Sequence, residues 1–227
     1  MSPNIKDRLS PNHGPRRGEG PIDILLLHYT GMPTAAAALD RLCDPAAQVS
    51  AHYLIDEDGT VWRLVDELRR AWHAGDSFWA GDSDVNSRSI GIELANPGHG
   101  PDYRAFPDPQ MQALEALAQD IMRRHPIPSH RALGHSDVAP GRKRDPGELF
   151  DWSRLAKHGI GLWSEASVPD AGCADAAALM PRLGYRDASI DAVAAFQLHF
   201  RPERVTGIAD PETLARLADL VAQAGLA

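Results

Sequence analysis

The sequence lacks an apolar run long enough to cross a membrane. Stretches such as Ile24–Leu27 are far shorter than the about 20 apolar residues of a transmembrane helix. Residues 1–20 are polar and rich in proline and glycine, without the apolar core of a secretory signal. We therefore expect a cytoplasmic protein with no transmembrane segment. The alternative is the periplasm or cell envelope, if a signal was removed.

Basic charge and cysteine are also scarce. The 227 residues include 23 Lys and Arg against 31 Asp and Glu, a net charge of −8. This balance argues against a nucleic-acid partner, which needs a basic surface. Cys43 and Cys173 lie far apart, and neither belongs to a C-x-x-C pair, so we interpret them as buried or incidental thiols.

Local patterns predict a mixed domain over residues 21–160, preceded by an extended N-terminal arm over residues 1–20. The apolar run within residues 21–30 is typical of a strand buried on both faces, with His28 near its carboxyl end. Asp58-Gly59, between two β-prone runs, predicts a hairpin turn. Residues 89–96 predict another strand, in which Glu93 faces away from the large apolar residues at 90, 92 and 94.

Helical patterns follow. Asp108-Pro109 predicts a helix start, Pro126 a helix end, and apolar residues between them recur at helical spacing: Met111, Leu114, Leu117, Ala118 and Ile121. After about Gly161 the pattern changes to short helices, which predict a separate small three-helix domain over residues 170–227. The boundary is placed in residues 164–172, where Ser, Pro, Asp and Gly interrupt both patterns.

Ten histidines are many for this length, but no H-E-x-x-H motif is present, so a metal site must combine distant segments. The best candidates are His28, His135 in a Gly-rich loop, and Asp145 ten residues later. Two imidazoles and one carboxylate leave the fourth position of a zinc ion open for water.

Five blocks in order carry a family resemblance: LLLHYT, AHYLIDEDGTV, AWHAG, SIGIELAN and GHSDVAPGRKRDPG. Over residues 15–155 the chain resembles the zinc-dependent N-acetylmuramoyl-L-alanine amidases, a group that includes peptidoglycan-recognition proteins and wall-recycling amidases. The last block is the most specific part. Together, patterns and resemblance predict an α/β (mixed) fold, with a central, mostly buried β-sheet flanked by helices, followed by a small three-helix domain.

The resemblance also implies roles for single residues. It implies that His28, His135 and Asp145 bind Zn2+, and that Glu93 and Lys143 are the catalytic pair. Glu93 would move a proton from water to the leaving amine, and the ammonium of Lys143 would stabilise the oxyanion. By the same resemblance, the AWHAG block lies near the substrate cleft, so His73 and Trp79 are candidates for substrate binding.

Each residue also has a simpler interpretation. His28 could be a strand-end histidine whose ring binds the backbone, and Glu93 could pair with a neighbouring strand or with an arginine. Lys143 lies in a basic run, which is usually solvated, and Asp145-Pro146-Gly147 is by itself an ordinary turn. The joint occurrence of these residues in family order favours the site.

The C-terminal segment AVAAFQLHFRPERVTGIADPETLARL resembles the second half of the three-helix peptidoglycan-binding domain. The glycine-rich opening of that family is not evident here. The alternative is a packing module that only stabilises the amidase domain.

We therefore expect zinc-dependent hydrolysis of the amide between the lactyl group of N-acetylmuramic acid and L-alanine of the stem peptide. The substrate is expected to be peptidoglycan or soluble muropeptides, including 1,6-anhydro forms. One alternative is a non-catalytic peptidoglycan-recognition protein, and another is a zinc peptidase that cleaves a different amide.

Overall fold

The structure, a computed structural model, describes residues 5–167 and 175–226. Eight strands and eight α-helices follow one another along these residues, with a 3-10 turn at Ser129–Arg131 before β8. The strands are β1 (Ile5–Asp7), β2 (His13–Pro15), β3 (Ile24–Tyr29), β4 (Tyr53–Ile55), β5 (Val61–Arg63), β6 (Arg69–Ala71), β7 (Ser89–Leu94) and β8 (Ala132–Gly134). The helices are α1 (Ala35–Cys43), α2 (Val85–Arg88), α3 (Asp108–Arg124), α4 (His135–Val138), α5 (Trp152–Lys157), α6 (Ala176–Leu183), α7 (Ile190–Phe200) and α8 (Pro211–Gln223).

Six strands form one mixed sheet in the order β1-β5-β4-β7-β3-β8. β3 pairs in parallel with β7 on one side and with β8 on the other, so three strands end at the same edge of the sheet. β4 and β5 form the predicted antiparallel hairpin, and Gly59 has a φ of 84° in its turn. The predicted mixed α/β fold with a central sheet and flanking helices is confirmed.

One face of the sheet packs against α3. The five apolar residues predicted for this helix are all buried, in one cluster with Leu25 and Leu27 of β3. The helix ends before Pro126, as predicted, because proline cannot continue the backbone hydrogen bonding. Its N-cap is Pro107, and Asp108 lies in the first turn, where its charge faces the positive end of the helix dipole.

The N-terminal segment is built into the sheets. β1 pairs in parallel with β5, and β2 pairs in antiparallel fashion with β6. Arg16 then enters the interior and donates hydrogen bonds to four backbone carbonyls, among them that of Glu67. Short strands with so few apolar residues give no periodic signal, so only the pairing partners reveal them.

The three predicted C-terminal helices are α6, α7 and α8, and we call residues 175–226 the helical module. Residues 168–174, which hold Cys173 and part of the predicted boundary, lie outside the described residues. Cys43 is half-buried and donates a hydrogen bond from Sγ to the carbonyl of Arg8. No helix in the described part of the chain is long and apolar enough to span a membrane.

Candidate metal centre and active site

Three parallel strands bring His28, Glu93 and His135 to one edge of the sheet. His28 is the fifth residue of β3 and lies in register with Glu93 on β7. His135 follows directly after β8 and opens α4. Carboxyl ends of neighbouring parallel strands meet at one sheet edge, where ligands of open α/β sheets are commonly bound. Asp145 lies in the loop that follows α4.

The side chains of His28, His135 and Asp145 converge on one point. The Nδ1 atoms of the two histidines lie 2.9 Å apart, and each is 3.0 Å from Oδ2 of Asp145. All three residues are buried, and together they form a group that can hold a metal ion.

Hydrogen bonds on the far side of each imidazole fix the tautomers. Nε2 of His135 donates to the carbonyl of Ala74 at 3.0 Å. The Ser89 hydroxyl donates to the carbonyl of Val85, so its oxygen accepts from Nε2 of His73 at 3.4 Å. Nδ1 of His73 is then left to accept from Nε2 of His28 at 3.0 Å.

With both Nε2 atoms protonated, two imidazole lone pairs and one carboxylate oxygen point at the same position. The two lone pairs and the carboxylate oxygen repel one another unless a cation lies between them. Two imidazole nitrogens and one carboxylate oxygen, with both rings held in place, are ligands that suit Zn2+. Burial and the neighbouring His135 lower the pKa of His28 to about 4, so its ring is neutral near pH 7.

Glu93 lies beside this centre, in the same cleft. Its Oε2 is buried and has no hydrogen-bond partner among the described residues. Burial, followed by the charge of Asp145, raises the pKa of Glu93 well above its ordinary value, and the charge of Lys143 opposes this shift. A carboxyl group with a raised pKa exchanges protons more readily near neutral pH.

These residues line a cleft of about 280 Å³ beside the sheet edge. Six of the seven predicted site residues lie along it: His28, His73, Glu93, His135, Lys143 and Asp145. His73 lies directly behind His28, where it supports the imidazole.

Trp79 is not brought to this cleft. It is 2% exposed and packs edge-on against Tyr185 of the helical module, with ring centroids 4.8 Å apart. The chain turns away after the AWHAG block, where Gly75 has a φ of 61°. Trp72, seven residues earlier, lines the cleft.

Several residues in and around the cleft were not predicted from the sequence. Tyr29 and Arg41 line the cleft, and the Tyr29 hydroxyl lies 2.9 Å from Nδ1 of His99, whose Nε2 lies 2.8 Å from Glu148. Gly91 on β7 leaves room for the ring of His73, since a Cβ built there would lie 2.5 Å from Nδ1 of that ring. A glycine inside an apolar strand is the one available sequence signal, because it often marks a close approach.

Comparison with known proteins places the chain in a family. A sequence model described as N-acetylmuramoyl-L-alanine amidase matches residues 18–148, and a peptidoglycan binding domain matches residues 184–217. The N-acetylmuramoyl-L-alanine amidase AmiD of Escherichia coli (strain K12) is 41% identical over an alignment of 225 residues, and the match covers 86% of this chain and 80% of that protein. The 1,6-anhydro-N-acetylmuramyl-L-alanine amidase AmpD of Enterobacter cloacae is 36% identical over an alignment of 163 residues, and the match covers 64% of this chain and 85% of that protein.

Solved structures agree with these matches. The complex of E. coli AmiD with anhydro-N-acetylmuramic acid-L-Ala-D-γ-Glu-L-Lys has a TM-score of 0.80 at 35% identity, over 97% of this chain and 94% of that one. AmpDh3 of Pseudomonas aeruginosa in complex with anhydromuramic pentapeptide has a TM-score of 0.77 at 33% identity, over 95% of each chain.

Proposed function

The chain belongs to the N-acetylmuramoyl-L-alanine amidase family and is an enzyme of that kind, and on this premise we propose that it is a zinc-dependent hydrolase of muropeptides. The bond cleaved is the amide between the lactyl group of N-acetylmuramic acid and L-alanine of the stem peptide. The observation that carries the zinc proposal is the convergence of Nδ1 of His28, Nδ1 of His135 and Oδ2 of Asp145.

The three converging atoms would hold Zn2+. When bound, the ion activates water and polarises the carbonyl oxygen of the scissile amide. The protein contributes a rigid set of donors, because His73 and the carbonyl of Ala74 fix the two imidazole rings.

Glu93 and Lys143 complete the proposed mechanism. Glu93 accepts the proton of the attacking water at its unpartnered Oε2 and delivers it to the nitrogen of the leaving L-alanine. The ammonium of Lys143, on the same cleft, stabilises the negative charge that develops on the amide oxygen. The buried position of Oε2 of Glu93 strengthens its electrostatic interactions, since the effective dielectric is lower there than in water.

The proposed substrate class is a soluble muropeptide with a 1,6-anhydro-N-acetylmuramic acid end. The complexes of the similar proteins AmiD and AmpDh3 with anhydromuramic peptides support this choice. Intact peptidoglycan is the second candidate, and the match of residues 184–217 to a peptidoglycan binding domain favours it. The cytoplasmic location and glycan binding by the helical module stay predictions.

The test combines metal analysis with product analysis. We expect one zinc per chain in the wild type and none in His28→Ala or Asp145→Ala, with hydrolysis of a purified anhydro-muropeptide lost in both. His158→Ala is a matched histidine control, because His158 is exposed and remote from the cleft. Mass spectrometry should find a free stem peptide with an unblocked L-alanine.

Two results would contradict the proposal. A wild type that holds no zinc and stays inactive after zinc is added would favour a peptidoglycan-recognition protein. A product cut at another amide would indicate a peptidase. In addition, Glu93→Gln at full activity would remove Glu93 from the mechanism.

A further inference from the structure

The helical module shares one hydrophobic core with the amidase sheet. Ile24 and Leu26 of β3 and Leu133 of β8 belong to the same buried cluster as Phe196 and Leu217 of the module. A backbone hydrogen bond also joins the two parts, because the amide of Ala80 donates to the carbonyl of Gly184 at 2.8 Å. The module therefore supports the strands that carry His28 and precede His135.

A buried carboxylate lies at the centre of this interface. Oδ1 of Asp137 accepts a hydrogen bond from the Tyr185 hydroxyl at 2.5 Å, and Oδ2 accepts from Nδ1 of His199 at 2.7 Å. Asp137, Tyr185 and His199 are each at most 2% exposed. The His199 ring is stacked between Trp152 and Phe200, with centroids 3.7 and 3.8 Å away. Both side-chain donors to Asp137 thus come from the helical module.

The same carboxylate closes the turn that presents His135. Oδ2 of Asp137 also accepts from the backbone amide of Gly134 at 2.7 Å, across the first turn of α4. His135 is the residue that follows Gly134, and the next amide, that of Ser136, donates to the carbonyl of Asp145 at 3.0 Å. Asp137 therefore holds the backbone at Gly134, directly before His135 and next to the hydrogen bond that joins Ser136 to Asp145.

We propose that Tyr185 and His199 are positioning residues for the metal centre, which act through Asp137 on the turn that carries His135. This inference rests on the proposed function, in which His135 binds Zn2+. The helical module then has a role in the amidase site that is independent of any glycan binding.

The energetic reason is the cost of an unpaired buried carboxylate. Without the two donors of the module, Asp137 keeps only the amide of Gly134 as a partner among the described residues. A buried charge that has lost its partners is strongly unfavourable, so the turn would open and admit water. Nδ1 of His135 would then leave the position from which it meets His28 and Asp145.

The experiment measures Zn2+ affinity of the full chain by competition with a chelator, beside its unfolding temperature. Tyr185→Phe removes only the hydroxyl, and we expect an affinity about tenfold weaker, at the lower end of the effect of partners behind metal ligands. Thr213→Val is the matched control, because it also removes a buried hydroxyl of the module, one whose hydrogen-bond partners among the described residues are Gln197, Arg201 and Asp210. It should leave Zn2+ affinity unchanged even where it lowers the unfolding temperature.

A second pair of variants tests the same donor role at His199. His199→Asn and His199→Leu both remove the stacked ring, but only Asn keeps an N–H donor near the position of Nδ1. Asn should retain more of the Zn2+ affinity than Leu. If Tyr185→Phe does not fold, the comparison of these two variants tests the inference.

Three results would overturn the inference: unchanged affinity in Tyr185→Phe, an equal loss in Thr213→Val, or equal affinities in the two His199 variants. A wild type without Zn2+ affinity overturns the proposed function itself, and is detected before any variant is made.

Discussion

Gly91→Ala tests whether His73 packs as closely behind the proposed metal ligand His28 as the structure indicates. The new Cβ would lie 2.5–2.6 Å from three atoms of the His73 ring, and the ring must retreat by about 0.9 Å to restore an ordinary contact of 3.4 Å. The backbone φ at Gly91 is not in the left-handed region, so alanine brings no backbone strain. The effect therefore arises from the close approach alone.

The displaced ring would weaken the hydrogen bond that His73 accepts from Nε2 of His28, now 3.0 Å long. We expect Zn2+ affinity to fall by about 10- to 100-fold, as for other partners behind metal ligands. Overpacking should also lower the free energy of unfolding by about 1–3 kcal/mol. Chelator competition and urea denaturation measure the two effects separately.

Two further variants make the test specific. Gly14→Ala is the control, because no atom lies within 4 Å of a Cβ built at Gly14. The double variant His73→Ala/Gly91→Ala has no imidazole ring for the new Cβ to clash with. Its Zn2+ affinity should therefore equal that of His73→Ala alone. If Gly91→Ala binds Zn2+ as tightly as the wild type, the reasoning about His73 is wrong.

Three other predictions concern acid stability, metal removal and catalysis. Burial alone would raise the pKa of Glu67, but hydrogen bonds, first of all from Arg124, lower it to about 2. Its ionised form thus stabilises the fold above pH about 4.5, and this contribution is lost as the pH falls towards 2. Glu67→Gln should lower the free energy of unfolding, measured by urea denaturation, by up to about 3 kcal/mol at pH 7 and by less at pH 3. An equal decrease at both pH values would contradict this. A chelator should lower the unfolding temperature of the wild type, since Zn2+ at 100 times its Kd stabilises by about 2.7 kcal/mol. Asp145→Asn should not respond, and an equal response would remove Asp145 from the ligand set. Lys143→Met should lower kcat by about 100-fold with full zinc content, and a loss of zinc would instead indicate a structural role.

Much of the site could be predicted because several of its parts are local. His28 near the end of an apolar run and Glu93 on the opposite side of an alternating strand are consequences of strand periodicity. The ordered sequence blocks then identified the amidase family, and the comparisons confirmed it. Trp79 has no comparable local signal, because an aromatic residue after a turn can face either a cleft or a core.

Local patterns in the sequence predicted strands β3 and β7, the hairpin at Asp58-Gly59, the α3 helix and the three C-terminal helices. These elements depend on residues within a few positions of one another, whose spacing the chain itself carries. The tertiary structure alone shows that Nδ1 of each proposed ligand histidine faces the proposed metal position, that Gly91 makes room for His73, and that Tyr185 donates a hydrogen bond to Asp137. The physical reason is that these contacts join residues 18 to 61 positions apart, and packing alone sets which atoms meet.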